Sequence, residues 1–246
     1  MAEKALVGTV ALVTGASRGI GTAIVSQLAE RGAHVFALAR DSEKLAQIQS
    51  ELGGSCTCVP CDLGSPEALI DLRHEILRTW GRLDVVVGNA AIMGPRTALS
   101  ALDEQAWCDV VNTNLTANWR LIRHFDSLLR AAPHGRALFL TSGAGSRARM
   151  APQRGAYAIS KAALDALART YASETEGTNL RVMLCNPGPT RTGLRAQAAP
   201  DEDPMTLPTP AQVASKLIAL CLPSWNESGR LYDYPQDRLL DFHGPN

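Results

Sequence analysis

A chain of 246 residues is long enough for one α/β domain and leaves little room for a second. Its 46% hydrophobic and 20% charged residues are the balance of an ordinary globular protein. Its 24 Lys+Arg against 24 Asp+Glu leave no basic excess to select nucleic acid and no acidic block to form a solvated tail. The apolar start follows Lys4, but Gly8 and Thr9 break it and a glycine-rich turn ends it, unlike a signal peptide. No stretch approaches the roughly 20 apolar residues that span a bilayer. Six cysteines suit a reducing compartment, so a soluble cytoplasmic protein with no membrane or nucleic-acid partner is expected.

The chain alternates strand and helix. Residues 9–14 (TVALVT) are a short apolar run suited to a central parallel strand. A helical stripe follows at Ile20, Ala23, Ile24 and Leu28, and Gly32 closes it. Residues 34–39 (HVFALA) predict a second strand, 41–52 a helix, and 57–61 a third strand. Cys58 and Cys61 form a C-x-x-C, but no second ligand pair follows, so structural thiols are expected rather than a metal or redox site. Ser65 and Pro66 supply an N-cap and a first-turn proline for the next helix.

Residues 83–88 (LDVVVG) predict a fourth strand, and helices are expected from Asp103 and over 115–131. Residues 136–141 (RALFLT) predict a fifth strand, 157–174 a helix, and 180–185 (LRVMLC) a sixth strand. Thr209, Pro210 and Gln212 form a capping box that starts a helix running to about Leu222. Residues 230–234 (RLYDY) predict a last short strand. Repeated β-α-β units with right-handed crossovers imply an α/β fold: a single-domain, Rossmann-like, doubly wound parallel sheet with helices on both faces, over residues 1–246. Residues 189–208, rich in Pro, Ala and acid, form the only long loop expected and are read as a substrate loop.

The turn at residues 14–21 (TGASRGIG) joins the first strand to the first helix. The first glycine permits a tight turn, and the later ones allow backbone to approach a pyrophosphate and the helix to pack on the strand. The helix N-terminus adds free N–H groups and the positive end of a dipole. The spacing G-x-x-x-G-x-G resembles the cofactor loop of the short-chain dehydrogenase/reductase family. Further matches follow in order: Cys61-Asp62-Leu63, Gly88-Asn89-Ala90-Ala91, Asn112-Thr113-Asn114-Leu115, Thr141-Ser142, Tyr157-Ala158-Ile159-Ser160-Lys161 and Asn186-Pro187-Gly188. The resemblance runs from about Leu6 to Leu222, with Ala91 where the family usually has glycine.

A binder of NAD usually ends its second strand with an acid for the ribose 2′-OH. Here Ala39 stands at that place and Arg40 follows, with Arg18 in the glycine loop near the same ribose. Two guanidiniums suit a 2′-phosphate, so NADP(H) is expected ahead of NAD, with Asp41 as the objection. The resemblance implies that Gly15, Ser17, Arg18, Ile20 and Gly21 hold the cofactor's phosphates. It implies that Asp62 and Leu63 meet adenine and that Asn89 and Ala90 line the adenosine ribose. It gives Pro187, Gly188, Thr190 and Thr192 to the nicotinamide end.

Tyr157 and Lys161 lie four apart on a predicted helix, so they share a face. Free tyrosine has a pKa of about 10, and a nearby ammonium is expected to lower it toward working pH. Ser142, at the carboxyl edge of the fifth strand, can donate to a substrate carbonyl. The resemblance makes Asn114, Ser142, Tyr157 and Lys161 the catalytic set, with Asn114 holding a relay water and Lys161 also reaching the nicotinamide ribose. Ser142 to Tyr157 is longer than the family's usual spacing. Segment 143–156, with Arg147, Arg149 and Arg154, is expected to bulge over the site, and Ser146 is the fallback serine.

The resulting reading is hydride transfer between NADP(H) and a carbonyl or alcohol carbon. The alternative is a regulatory protein that binds the dinucleotide without chemistry. An epimerase or dehydratase would need a larger C-terminal domain. Specificity for a small-molecule substrate is expected from residues 93–96, 143–156 and 189–208. Self-association to a homodimer or homotetramer is expected through Leu115, Trp119, Leu164 and Leu167.

Overall fold

The computed structural model describes residues 4–65, 67–145 and 152–242. Pro66, Arg147, Arg149 and Ser146 therefore lie outside the described residues.

Eight strands form one sheet in the order β3-β2-β1-β4-β5-β6-β7-β8. They are β1 (Val10–Thr14), β2 (His34–Ala39), β3 (Cys56–Pro60), β4 (Val85–Gly88), β5 (Arg136–Leu140), β6 (Arg181–Asn186), β7 (Arg230–Asp233) and β8 (Arg238–Leu240). The first seven are parallel, with β1 pairing β2 on one side and β4 on the other. All five residues of β1 are buried, as a central strand covered on both faces requires.

The helices are α1 (Gly19–Glu30), α2 (Ser42–Leu52), α3 (Glu67–Trp80), α4 (Glu104–Val111), α5 (Ala117–Ala131), α6 (Gly155–Glu174), α7 (Gly193–Ala198) and α8 (Pro210–Leu217). The period-two alternation of the strands splits the core into two layers. On one face Ala11, Val13, Val35 and Val87 pack with Ile24 and Leu28 of α1 and Val213 and Leu217 of α8. On the other Leu12, Phe36, Val86 and Phe139 pack with Leu72 and Ile76 of α3, Phe125 of α5, and Leu164 and Ala168 of α6. The doubly wound α/β fold with helices on both faces is thus the fold of this chain.

Several local expectations need correction. β8 was not foreseen: it runs antiparallel to β7 through a tight turn in which Asp237 takes φ 48°. Three residues, one of them an exposed arginine, carry too little pattern to register as a strand. Helix α8 ends at Leu217 and the chain tightens into a 3₁₀ turn at Ile218–Cys221. The helices expected from Asp103 and over 115–131 form one continuous helical run with a π turn at Asn112–Thr116. Segment 189–208 is built rather than irregular. Thr192 caps α7 by accepting from the Arg195 N–H at 3.2 Å. The Arg195 guanidinium pairs with Glu202 at 2.5 and 2.6 Å, and Arg191 donates to the carbonyls of Pro204 and Leu207 at 2.8 and 3.2 Å. Leu164 belongs to the core, so it cannot contribute to an interface; Leu115 and Leu167 pack partly against the same layer, and Trp119 is 44% exposed.

The C-x-x-C spacing brings no thiol pair together. The neighbours are instead Cys56 and Cys58, with Sγ atoms 3.8 Å apart on β3. Burial pushes Cys56 up to about 12 and Cys61 up to about 11, which leaves both as unreactive thiols. No described helix is long and apolar enough to cross a membrane.

Candidate active site

The site begins where β1 and β4 part company, since the chain winds outward from β1 to β2 and β3 and then returns to β4. A crevice opens at such a switch point, beyond the carboxyl ends of the strands. The glycine-rich turn occupies it. Gly15 has φ +64°, a backbone state that favours glycine. A Cβ on Gly21 would stand 2.2 Å from the Gly15 carbonyl oxygen and 2.6 Å from Asn89 Nδ2, so glycine alone fits.

The turn is clamped from β4. Thr14 Oγ1 accepts from the N–H groups of Asn89 and Ala90 at 3.0 and 3.1 Å and donates to the Val87 carbonyl at 3.3 Å. Asn89 Nδ2 donates to the carbonyls of Thr14 and Gly15 at 2.8 and 3.2 Å. Thr22 Oγ1 donates to the Ala16 carbonyl at 2.6 Å. Asn89 therefore spends its amide on the loop. The N-cap position of α1, Arg18, makes no side-chain cap, so the first-turn N–H groups point into the crevice without a protein partner from that residue.

The crevice measures about 330 Å³. Gly15, Ser17, Arg18, Ile20, Arg40, Asp62, Leu63, Asn89, Ala90 and Thr192 line it, as does Ala91. Gly21, Tyr157, Lys161, Pro187, Gly188 and Thr190 do not. Gly21 sits behind the loop, and the Thr190 hydroxyl turns back to the carbonyls of Pro187 and Gly188, both at 3.3 Å. The Asp41 objection is answered locally. Its carboxylate is the N-cap of α2, accepting from the Lys44 N–H at 3.1 Å and pairing with Lys44 Nζ at 3.1 Å. The bonds to Lys44 hold the Asp41 carboxyl below its usual range. Lys44 also lines the crevice, so its lining carries three cations, Arg18, Arg40 and Lys44, against two carboxylates, Asp41 and Asp62. Sequence reasoning missed Lys44, and also Arg120, whose guanidinium fixes Leu63 by donating to its carbonyl at 2.8 Å.

The catalytic candidates gather beside the crevice. Tyr157 is buried among Met93 and Ala198, with Ala144 and Leu194 against them. Leu194 is shared with the crevice wall, so the two spaces adjoin. Burial pushes the Tyr157 phenol above its usual range, while hydrogen bonding to Ser142 and the charge of Arg154 pull the other way. The expected lowering by Lys161 is therefore corrected. Lys161 Nζ lies 5.9 Å from the Tyr157 ring centre and donates instead to the Leu140 carbonyl at 2.7 Å. Lys161 is itself buried, which lowers its ammonium to about 8 against the opposing influence of Asp165.

Ser142 follows the end of β5, its Oγ accepting from the Ala144 N–H at 3.2 Å. Asn114 sits in the π turn, fully buried. Its Nδ2 donates to the Ile92 carbonyl and to Ser160 Oγ, each at 3.0 Å, and its Oδ1 accepts from the Ile92 N–H at 2.9 Å. Its main-chain carbonyl accepts from Asn118 Nδ2 at 2.8 Å. Asn114 thus ties the loop after β4 to α6 through its side-chain bonds. Asn186 plays a similar part at the other wall, with Oδ1 accepting from the N–H groups of Gly143 and Gly188 at 3.0 and 3.1 Å.

These features define a doubly wound α/β protein with a glycine-rich crevice at its switch point and a Ser-Tyr-Lys group beside it. Residues 9–203 match the family model for short chain dehydrogenase, and the chain belongs to the short-chain dehydrogenase/reductase family of oxidoreductases. It is similar to the uncharacterized oxidoreductase YciK of Escherichia coli K12, at 37% identity over 208 residues, covering 82% of this chain and 81% of the relative. It is also similar to the rhamnolipids biosynthesis 3-oxoacyl-[acyl-carrier-protein] reductase of Pseudomonas aeruginosa, at 38% identity over 189 residues, covering 74% and 73%. Among solved structures, a short chain dehydrogenase of Shigella flexneri complexed with NADP superposes with TM-score 0.87 at 33% identity, covering 95% of this chain and 99% of that one.

Proposed function

We propose that this chain is an NADP(H)-dependent oxidoreductase that interconverts a carbonyl and an alcohol, with Tyr157 as the acid/base. The observation that carries the reading is the buried Tyr157, one turn from the buried Lys161, in an apolar chamber that shares Leu194 with the crevice. The donor set fits a dinucleotide phosphate. The uncapped α1 N-terminus faces the place for the pyrophosphate, and Arg18, Arg40 and Lys44 stand at the rim where a 2′-phosphate would lie. The NADP complex of the Shigella flexneri relative supports the same cofactor.

The nicotinamide, when bound, supplies the hydride. The chain's own residues manage the proton and the carbonyl oxygen. Burial keeps Tyr157 protonated at neutral pH, the state that donates to an oxygen gaining negative charge. Ser142 offers a second donor to the same oxygen. In the reverse direction the phenol must first lose its proton, so alcohol oxidation is favoured as pH rises. Lys161 holds positive charge behind the tyrosine, and residues 189–208, anchored on α7, close the chamber through Leu194 and Ala198. We further propose a cytoplasmic homo-oligomer, with exposed Trp119 on α5 and Ile159 on α6 in the interface. A panel of carbonyl compounds with NADPH, followed at the nicotinamide absorbance band, tests the reading. NADPH bound tightly with no compound reduced would replace it with the regulatory one.

A further inference from the structure

Helix α6 presents Tyr157, Lys161 and Asp165 one turn apart along the face that it buries. The end of β5 meets two of the three with consecutive residues. The Leu140 carbonyl accepts from Lys161 Nζ at 2.7 Å, and the Thr141 hydroxyl donates to Asp165 Oδ1. Asp165 is a buried carboxylate that the proposed chemistry does not use. We propose that Asp165 is a positioning residue whose carboxylate, held by Thr141, keeps the buried Lys161 ammonium charged and so maintains the cofactor-binding state of the site.

The Lys161 ammonium is buried with no direct ion pair among the described residues to offset the loss of water. An ammonium removed from water loses its proton unless a negative charge stands near it. Asp165 makes no ion pair within 4.0 Å of Lys161 among the described residues, so it acts through space in a region of low polarity. The other groups around the pair are few. Tyr157 lies on the same helix and is held neutral by burial. Arg169, one turn beyond Asp165, stacks on Phe242 at 4.5 Å and favours the Asp165 carboxylate. From β5 come only the Leu140 carbonyl and the Thr141 hydroxyl, and from the π turn and α5 the uncharged Asn114 and Asn118. Asp165 titrates at about 6, burial raising it and the Thr141 bond opposing that rise, so it is ionised at neutral pH while Lys161 titrates at about 8.

The inference rests on the reading of the site as an NADP(H) site and on the resemblance-based expectation that Lys161 reaches the nicotinamide ribose, and the test separates the two. The NADPH dissociation constant is measured by fluorescence from pH 5 to 10 for wild type, Lys161→Ala, Asp165→Asn, Asp165→Glu and Thr141→Val. Lys161→Ala is expected to weaken binding at every pH and to erase the alkaline fall. Asp165→Asn keeps the shape and is expected to move the alkaline fall to lower pH by about one unit or more, the size of a single charge effect on a neighbour. Asp165→Glu is expected to restore most of the wild-type profile. Thr141→Val, which removes the bond that favours the Asp165 carboxylate, is expected to move the alkaline fall in the same direction as Asp165→Asn but by less. An Asp165→Asn profile with the wild-type midpoint overturns the Asp165 proposal, even if that variant melts earlier. If Asp165→Asn does not fold, an unchanged Thr141→Val profile overturns it. Wild-type binding by Lys161→Ala overturns the underlying reading of the site instead.

Discussion

Arg40→Ala should shift the balance between NADPH and NADH rather than weaken both. A hydrogen bond to a charged group is worth about 1.5–3 kcal/mol when its surroundings exclude water. Arg40 is exposed at the crevice mouth, beside the exposed Arg18 and Lys44, so solvent screens the contact and the lower end of that range applies. About 1.5 kcal/mol corresponds to roughly a tenfold loss for NADPH. NADH has no 2′-phosphate, so its affinity should hardly move. Fluorescence titration of both dinucleotides against wild type and Arg40→Ala reads the ratio directly. Raising salt from 50 to 500 mM should weaken NADPH more than NADH, because the rim charges are screened. Equal losses for the two dinucleotides, or tighter NADH binding by wild type, would refute the assignment of Arg40 and its neighbours to a phosphate.

Gly21→Ala should lower stability by about 1–3 kcal/mol, the usual range for an overpacked site. In a chain of this size that is roughly 2–4 °C of Tm per kcal/mol, and NADPH binding should fall with it. An unchanged Tm with intact binding would show that the Gly15 and Asn89 contacts are not rigid. The Asp165 carboxyl, raised from 3.8 to about 6 in the fold, contributes stability that is present below pH 3.8 and lost as pH rises through 6. Denaturant titrations of the cofactor-free chain should therefore find Asp165→Asn gaining on wild type by on the order of 2 kcal/mol between pH 4 and 7. A constant difference across that window would contradict the burial argument. Trp119→Glu should dissociate the oligomer in sedimentation velocity at micromolar concentration, and a wild-type chain that sediments only as a 26.3 kDa species would end the proposal of self-association.

Much of the frame was legible because its signals are local. The fully buried β1 reads as an unbroken apolar run, and the stripe of α1 repeats with the helical period. The glycine loop carries its own geometry in Gly15 and Gly21. What escaped depends on contacts far apart in sequence. Thr14 and Asn89 clamp the loop across 75 residues, and no spacing rule reaches that far. The π turn at Asn112 adds one residue to a helical turn and shifts no apolar position strongly enough to be noticed. The 189–208 segment looks irregular because its order comes from Arg191, Arg195 and Asp203 bonding within it, not from periodicity. The Tyr157 and Lys161 spacing was visible, but not the depth of their burial, and burial is the largest influence on the phenol, raising it. Leu164 was assigned to an interface because sequence alone does not say which apolar stripe of α6 meets the sheet.

The central claim is that Tyr157 delivers the proton, and single-turnover kinetics of Tyr157→Phe test it most directly. The substitution removes one hydroxyl and keeps the ring among Met93, Leu194 and Ala198, so folding and NADPH affinity should stay near wild type. General acid–base catalysis is typically worth 10²–10⁴-fold, so the rate of hydride transfer to a carbonyl substrate should fall by at least about 100-fold. A variant that binds NADPH normally and keeps more than about a tenth of the wild-type rate would contradict the assignment, since that loss is smaller than removal of a general acid should give.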